Sequence, residues 1–132
     1  MREVKFRGVS TESGKFVYGF FAIEDCEFQI LECRSTDVGY YLCPIPVIEK
    51  SVGQFTGLKD SEGVEIFEGA VVEAHNHENP SVFQIEFIEG GFCATHPKLL
   101  GYPTDINFFY PSNGCAIKVI GNIYENPELL EV

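Results

Sequence analysis

The chain has 132 residues, 45% of them hydrophobic, and carries 9 Lys and Arg against 20 Asp and Glu, a net charge of −11. That is the size of one ordinary domain with material for a core, which excludes a disordered tail. No apolar run approaches the roughly 18 residues of a membrane span, and the acidic balance argues against a protein that grips duplex DNA by its phosphates. The opening MREVKFRG has charges with no apolar block behind them, so it does not read as a signal peptide. Cys26, Cys33, Cys43, Cys93 and Cys115 are odd in number and contain no C-x-x-C pair. They read as reduced, mostly buried thiols of a cytoplasmic protein.

Period-two alternation dominates the pattern. In Glu3–Arg7, Val4 and Phe6 face one way and the charged residues the other, which predicts a half-buried strand. A Thr-Glu-Ser-Gly turn leads to a second strand over Lys15–Ile23, so the two form a hairpin. Cys26–Ile30 alternates again. Gly39–Cys43 and Ile45–Ile48 read as short runs split by Pro44 and Pro46, as at a sheet edge. Val52–Thr56 is a brief strand, Lys59–Gly63 supplies turn chemistry, and Val64–Phe67 resumes extended structure. Ala70–Ala74, Val82–Ile88 and Gly91–Ala94 predict three more strands, separated first by the polar loop His75–Ser81. Pro97–Asn113 reads as irregular with one short strand, and Ala116–Tyr124 as the last strand, with Val119 and Ile123 inward. At the end, Asn126 can cap a short helical turn with Pro127 in its first turn and Glu128 complementing the dipole. Short strands with frequent turns predict a mainly β fold in a single domain, a small, strongly bent β-barrel or a sandwich, with that short helical turn at its C-terminus.

Candidate chemistry is sparse. His75 and His77 form an H-x-H pair that a strand would aim to one side, as a metal site requires, and Glu73, Glu78, Cys93 or His96 could complete the ligands. The competing reading is a polar loop with exposed histidines. Cys93 and His96 are close enough for a thiol–imidazole pair, but no orienting third group accompanies them. Glu65 and Glu86 alternate with apolar residues, which places them on solvent faces of strands, a pattern that a solvated face and a general-acid pair share. Gly53, Gly57, Gly63 and Gly69 lie far from any helix start and read as backbone devices: Gly63 closes a hairpin with positive φ, and Gly57 and Gly69 bend a sheet.

Two segments carry a family resemblance: VGQFTGLKDSEGVEIFEGAVVE, Val52–Glu73, and VIGNIYENPELLE, Val119–Glu131. The opening REVKFRG with Gly14–Gly19 is a looser third match. Together they resemble the YopX family of phage and prophage proteins, over nearly the whole chain. The resemblance implies a mainly β fold built around a small barrel, and it offers no catalytic residue or cofactor to carry over. The family often has Gly-Asp ahead of the strand after its central motif; here the match is Gly69-Ala70. On their own chemistry the motifs read as core and turn residues, with Phe55, Leu58, Ile66 and Phe67 the large apolar ones.

These observations lead to an expected function: an accessory protein without a cofactor, acting by binding a host or phage protein. An acidic β domain can compete for a basic groove that normally holds nucleic acid. One alternative is a metal or catalytic protein using His75 and His77 with Cys93 or His96. Another is a homo-oligomer. A strand through Phe108, Phe109 and Tyr110 would turn at least one ring outward and make it a contact.

Overall fold

Alternation in the sequence becomes eleven strands in the computed structural model, which describes residues 3–74, 81–96, 103–110 and 114–131. The chain divides into two compact units, Met1–Phe55 and Thr56–Val132. In the first, β1 (Phe6–Val9), β2 (Phe16–Glu24), β3 (Glu27–Thr36), β4 (Gly39–Pro46) and β5 (Gly53–Lys59) form an antiparallel sheet in the order β4-β3-β2-β1-β5. The residues of β5 beyond Phe55 belong to the second unit, where β6 (Glu65–Phe67) neighbours them. That unit also holds a meander of β7 (Ala70–Ala74), β8 (Ser81–Ile88), β9 (Gly91–Thr95), β10 (Thr104–Asp105) and β11 (Ile117–Asn122), in the order β10-β9-β8-β7-β11.

Each unit has its own apolar centre. In the first, the rings of Phe6, Phe21 and Phe28 lie on one face with centroids 5.5 and 5.4 Å apart, beside buried Ile30. Val9 and Val47 are buried too. Ser51, in a 3-10 turn at Glu49–Ser51, accepts the Val9 N–H at 2.8 Å and donates to the Ile48 carbonyl at 2.6 Å. In the second unit Ile66, Val72, Ile85 and Ile117 are fully buried, each contributing about 1.5–3 kcal/mol by burial. The motif residues Phe55, Ile66 and Phe67 are buried as the sequence predicts, and Leu58 packs against the core.

The described residues form two antiparallel sheets, and no closed barrel is found among them. The ends of β1 and β4 do meet, through an antiparallel bridge between Ser10 and Val47. Along β4, Pro44 and Pro46 themselves have no N–H to offer a further strand. The outer edge of β11 is taken by a turn instead of a strand, since Ser61 donates to the Ile117 carbonyl at 3.1 Å and the Val119 N–H meets the Asp60 carboxylate.

Other differences are local. Gly39–Cys43 and Ile45–Ile48 are not two runs, because one strand passes through Pro44 with every β4 residue in register on β3. The first strand sits at Phe6–Val9 rather than Glu3–Arg7, leaving Val4 exposed. Close packing selects that position, since a Cβ on Gly8 would lie 3.0 Å from the Val47 Cβ. Ile123 is exposed rather than inward. A bulge between Val119 and Gly121 resets the alternation and leaves Ile117 as the buried residue. The C-terminal helical turn is present as a 3-10 turn at Pro127–Leu130, but Asn126 does not cap it. Its Oδ1 accepts the Asn122 N–H at 3.3 Å, tying the turn back to β11. Gly121 permits that approach, because a Cβ there would stand 2.6 Å from Asn126 Oδ1.

The β2–β3 hairpin turns through Asp25 and Cys26, both left-handed at φ 51° and 64°. Two positive φ values match the handed twist of a two-residue hairpin, but a side chain at such a position is strained. Replacing Cys26 with glycine is therefore expected to stabilise the protein by about 0.5–1 kcal/mol, the strain relief exceeding the added freedom of the unfolded chain. Urea denaturation checks this; a lower midpoint for C26G contradicts it.

Candidate functional site

The residues singled out for chemistry do not converge among the described residues. His75, His77 and Glu78 lie outside them. Glu73 is on β7 and His96 just follows β9. Cys93, on β9, is half-buried and stands in register opposite Glu86 on β8 and Asp105 on β10. Burial pushes its thiol pKa up, and the nearby charges of Asp105, Glu89 and Glu86 push it further. A nucleophilic cysteine requires the opposite surroundings, a neighbouring cation or base. Glu86 is not on a free solvent face: it is half-buried and accepts the Thr95 hydroxyl at 2.5 Å. No group of three or more His, Cys, Asp or Glu side chains among the described residues is placed to hold a metal ion.

None of the five thiols is fully buried, contrary to the expectation from composition. Cys26 and Cys33 are exposed, while Cys43, Cys93 and Cys115 are half-buried; all five are free. The two exposed cysteines lie in a hairpin turn and on β3, each next to residues that are exposed as well. Under native conditions a thiol-reactive dye is expected to label Cys26 and Cys33 first and Cys93 slowest, since its thiolate is disfavoured. Peptide mapping of the labelled protein gives the order, and early labelling of Cys93 contradicts it.

The sequence hides a buried polar group with three backbone partners. Asp60 belongs to the Lys59–Gly63 turn, yet it is only 6% exposed. Its Oδ1 accepts the N–H groups of Glu62 at 2.8 Å and Val64 at 2.9 Å. Its Oδ2 accepts the N–H of Val119 at 2.9 Å. Burial alone would raise the carboxyl pKa, but the bonds from Val119, Val64 and Glu62, with the nearby Lys118 ammonium, hold it below the usual aspartate value. One side chain thus joins the Val52–Glu73 segment to the Val119–Glu131 segment. The turn is finished by Gly63, at φ 82°, the left-handed geometry its sequence position calls for. Tyr110 adds a neighbouring tie, its hydroxyl donating to the Lys59 carbonyl at 2.7 Å. Asp60 is therefore a structural clamp.

Phe108, Phe109 and Tyr110 do not lie in a strand. Ile106–Phe109 is a 3-10 turn, so the face-alternation argument for an outward aromatic stripe does not apply. Phe109 is buried against Phe83 with centroids 6.0 Å apart, Tyr110 is held by its hydroxyl, and Phe108 alone is exposed.

Two surface features remain. The first is an arm: every residue from Cys33 to Leu42, along β3, its turn and β4, is exposed. Val38 is 97% exposed and Tyr40 81%. The second is charge. The first unit has six Lys and Arg against eight Asp and Glu, for −2, and the second has three against twelve, for −9. Within the small basic N-terminal cluster, Lys5 sits 5.2 Å from the Phe55 ring centroid and Arg7 stacks 4.3 Å from that of Phe16. No helix of the described residues is long and apolar enough to cross a membrane.

Comparison with known proteins agrees with this architecture. No curated protein matches the chain. Among solved structures, it is similar to protein EF1440 from Enterococcus faecalis, at 24% identity and a TM-score of 0.62, over 98% of this chain and 99% of that one. This likeness concerns the fold. A family model described as "YopX protein" matches residues 5–131. The segments joined by Asp60 lie inside that match, and the chain belongs to the YopX protein family.

Proposed function

We propose that the protein is a non-enzymatic binding or regulatory protein whose partner is a basic protein of the host or phage, met by the acidic second unit. The observation that carries this reading is the uneven charge: the second unit holds −9 of the total −11. Exposed acids are spread over it, including Glu62, Glu89, Asp105 and Glu128. A surface of one sign steers an oppositely charged partner and repels nucleic acid, so it suits a protein whose own groove is cationic. The chemistry around Cys93 points the same way, since its surroundings disfavour the thiolate.

The test compares capture from infected bacteria by the wild-type chain and by a Glu89→Lys, Glu128→Lys variant. Support consists of one basic protein, identified by mass spectrometry, that is retained by wild type, lost in high salt and weakened at least about 5-fold by the variant. A specific partner without positive excess, or retention unchanged by charge reversal and salt, overturns the proposal.

A further inference from the structure

We infer that the outer edge of β4 is a self-association surface, on which a second copy of this chain pairs its own β4 antiparallel across a two-fold axis. The backbone directions are fixed by two hydrogen bonds. Val47 donates to the Phe28 carbonyl of β3 at 3.0 Å, and the Pro46 carbonyl turns the other way to accept the Thr11 N–H at 3.0 Å. Alternation then aims the N–H and C=O groups of Tyr40 and Leu42 away from β3. Pro44 and Pro46 share that outward side and supply no donor. The end of β4 is taken by Val9–Thr11, through the Ser10–Val47 bridge and the bond from the Ile48 N–H to the Val9 carbonyl; before it no further strand of the described residues lies outside β4, which leaves Tyr40 and Leu42 as the outward donors.

Three further observations identify the occupant. A hairpin exposed on both faces is marginal on its own, and this arm is exposed on both faces from Cys33 to Leu42 while carrying Val38, Tyr40, Tyr41 and Leu42. Charge then discriminates between partners. Two copies at −11 each repel unless they meet through a neutral segment, and Val38–Ile48 contains no Asp, Glu, Lys, Arg or His. A strongly charged partner gains no Coulombic attraction from such a segment, whereas a second copy gains an approach without repulsion. The side chains also suit such a pair, since Tyr40 and Leu42 of each copy become cross-strand neighbours on the face that they share with Cys33. Each chain supplies two donors, so the pairing is capped at four backbone hydrogen bonds. Because it uses up the edge, it closes at a dimer instead of propagating.

The test is sedimentation velocity on the full chain from about 5 to about 300 µM, with Leu42→Pro, Tyr40→Lys and Phe108→Ser variants compared. Leu42→Pro removes an outward donor and leaves the β3 ladder untouched; Tyr40→Lys adds the charge that natural edges use against pairing. The expected result is a reversible wild-type dimer, weakened at least about 10-fold in both β4 variants and unchanged in Phe108→Ser. Amide hydrogen exchange on the wild type serves as a measurement that requires no variant. Exchange at Tyr40 and Leu42 is expected to slow with rising protein concentration. A monomer of 14.8 kDa throughout, exchange at Tyr40 and Leu42 independent of concentration, or a dimer lost in Phe108→Ser but kept in Leu42→Pro overturns the inference.

Discussion

Replacing Asp60 with alanine is expected to destabilise the second unit by about 3–5 kcal/mol, because it leaves the N–H groups of Glu62, Val64 and Val119 without their acceptor. Asparagine keeps the shape but turns one acceptor into a donor. Opposite Val119 or the turn, that donor meets another N–H, and about 2–3 kcal/mol is the expected cost. The sign of the pH dependence follows from the direction of the shift. The folded-state pKa of Asp60 is depressed below its ordinary 3.8. Its charged form therefore stabilises the fold fully above that ordinary value, and the contribution fades as pH falls through the depressed folded value. Urea denaturation of wild type and D60A should show a gap that is constant near neutrality and narrows in acid. A gap under about 1 kcal/mol at neutral pH removes Asp60 as a clamp.

The second large effect is expected at Gly19. A Cβ at this position would overlap the backbone carbonyl of Leu31 and crowd the Cα of Glu32 at 3.3 Å. The obstruction is main chain, which cannot rotate away as a side chain can. Gly19→Ala should therefore force β2 and β3 apart and cost about 2–4 kcal/mol. Amide protection should fall along β3 and β4 before it falls elsewhere in the first unit. An alanine variant with wild-type stability would show that the two strands can separate freely at Gly19.

The strands were legible where one face is buried and the other wet. Ala70–Ala74 coincides with β7, and β2, β8 and β9 fall within a residue of the sequence expectation. Legibility ended where one signal had two readings. Pro44 suggested a break, but an edge strand accommodates a proline whose missing N–H would have pointed outward. The far half of β3 carries Cys33 to Thr36 with no apolar alternation, because neither of its faces is buried. Adjacent aromatics at Phe108–Tyr110 suggested alternate faces, whereas a 3-10 turn distributes the rings differently.

The clamp was illegible for a different reason. Asp60 sits in a Lys-Asp-Ser-Glu-Gly run whose chemistry is accounted for by a turn, and its decisive partner is the N–H of Val119, 59 residues away. Backbone partners leave no trace in residue identity. The available hint was that both segments resembled one family while neither carried a reactive constellation. Among the proposed ligands, Cys93 was placed by the structure among acids that sequence proximity alone did not reveal.

The clamp also bears on the order of events during synthesis. The first unit is closed by local hairpins and by residues no later than Phe55, so everything it needs has been made once the chain reaches that point. The second unit places β7 between β8 and β11, and its Asp60 turn waits for Val119. Its contacts span long sequence separations, which slows closure. Until β11 is translated, β7 lacks its neighbour on one side and the Asp60 Oδ2 lacks the Val119 N–H. A growing chain therefore passes through a stage with a finished N-terminal unit followed by a sticky, acidic, unfinished one. The net charge of −9 on that second segment makes such nascent chains repel one another before the last strand arrives.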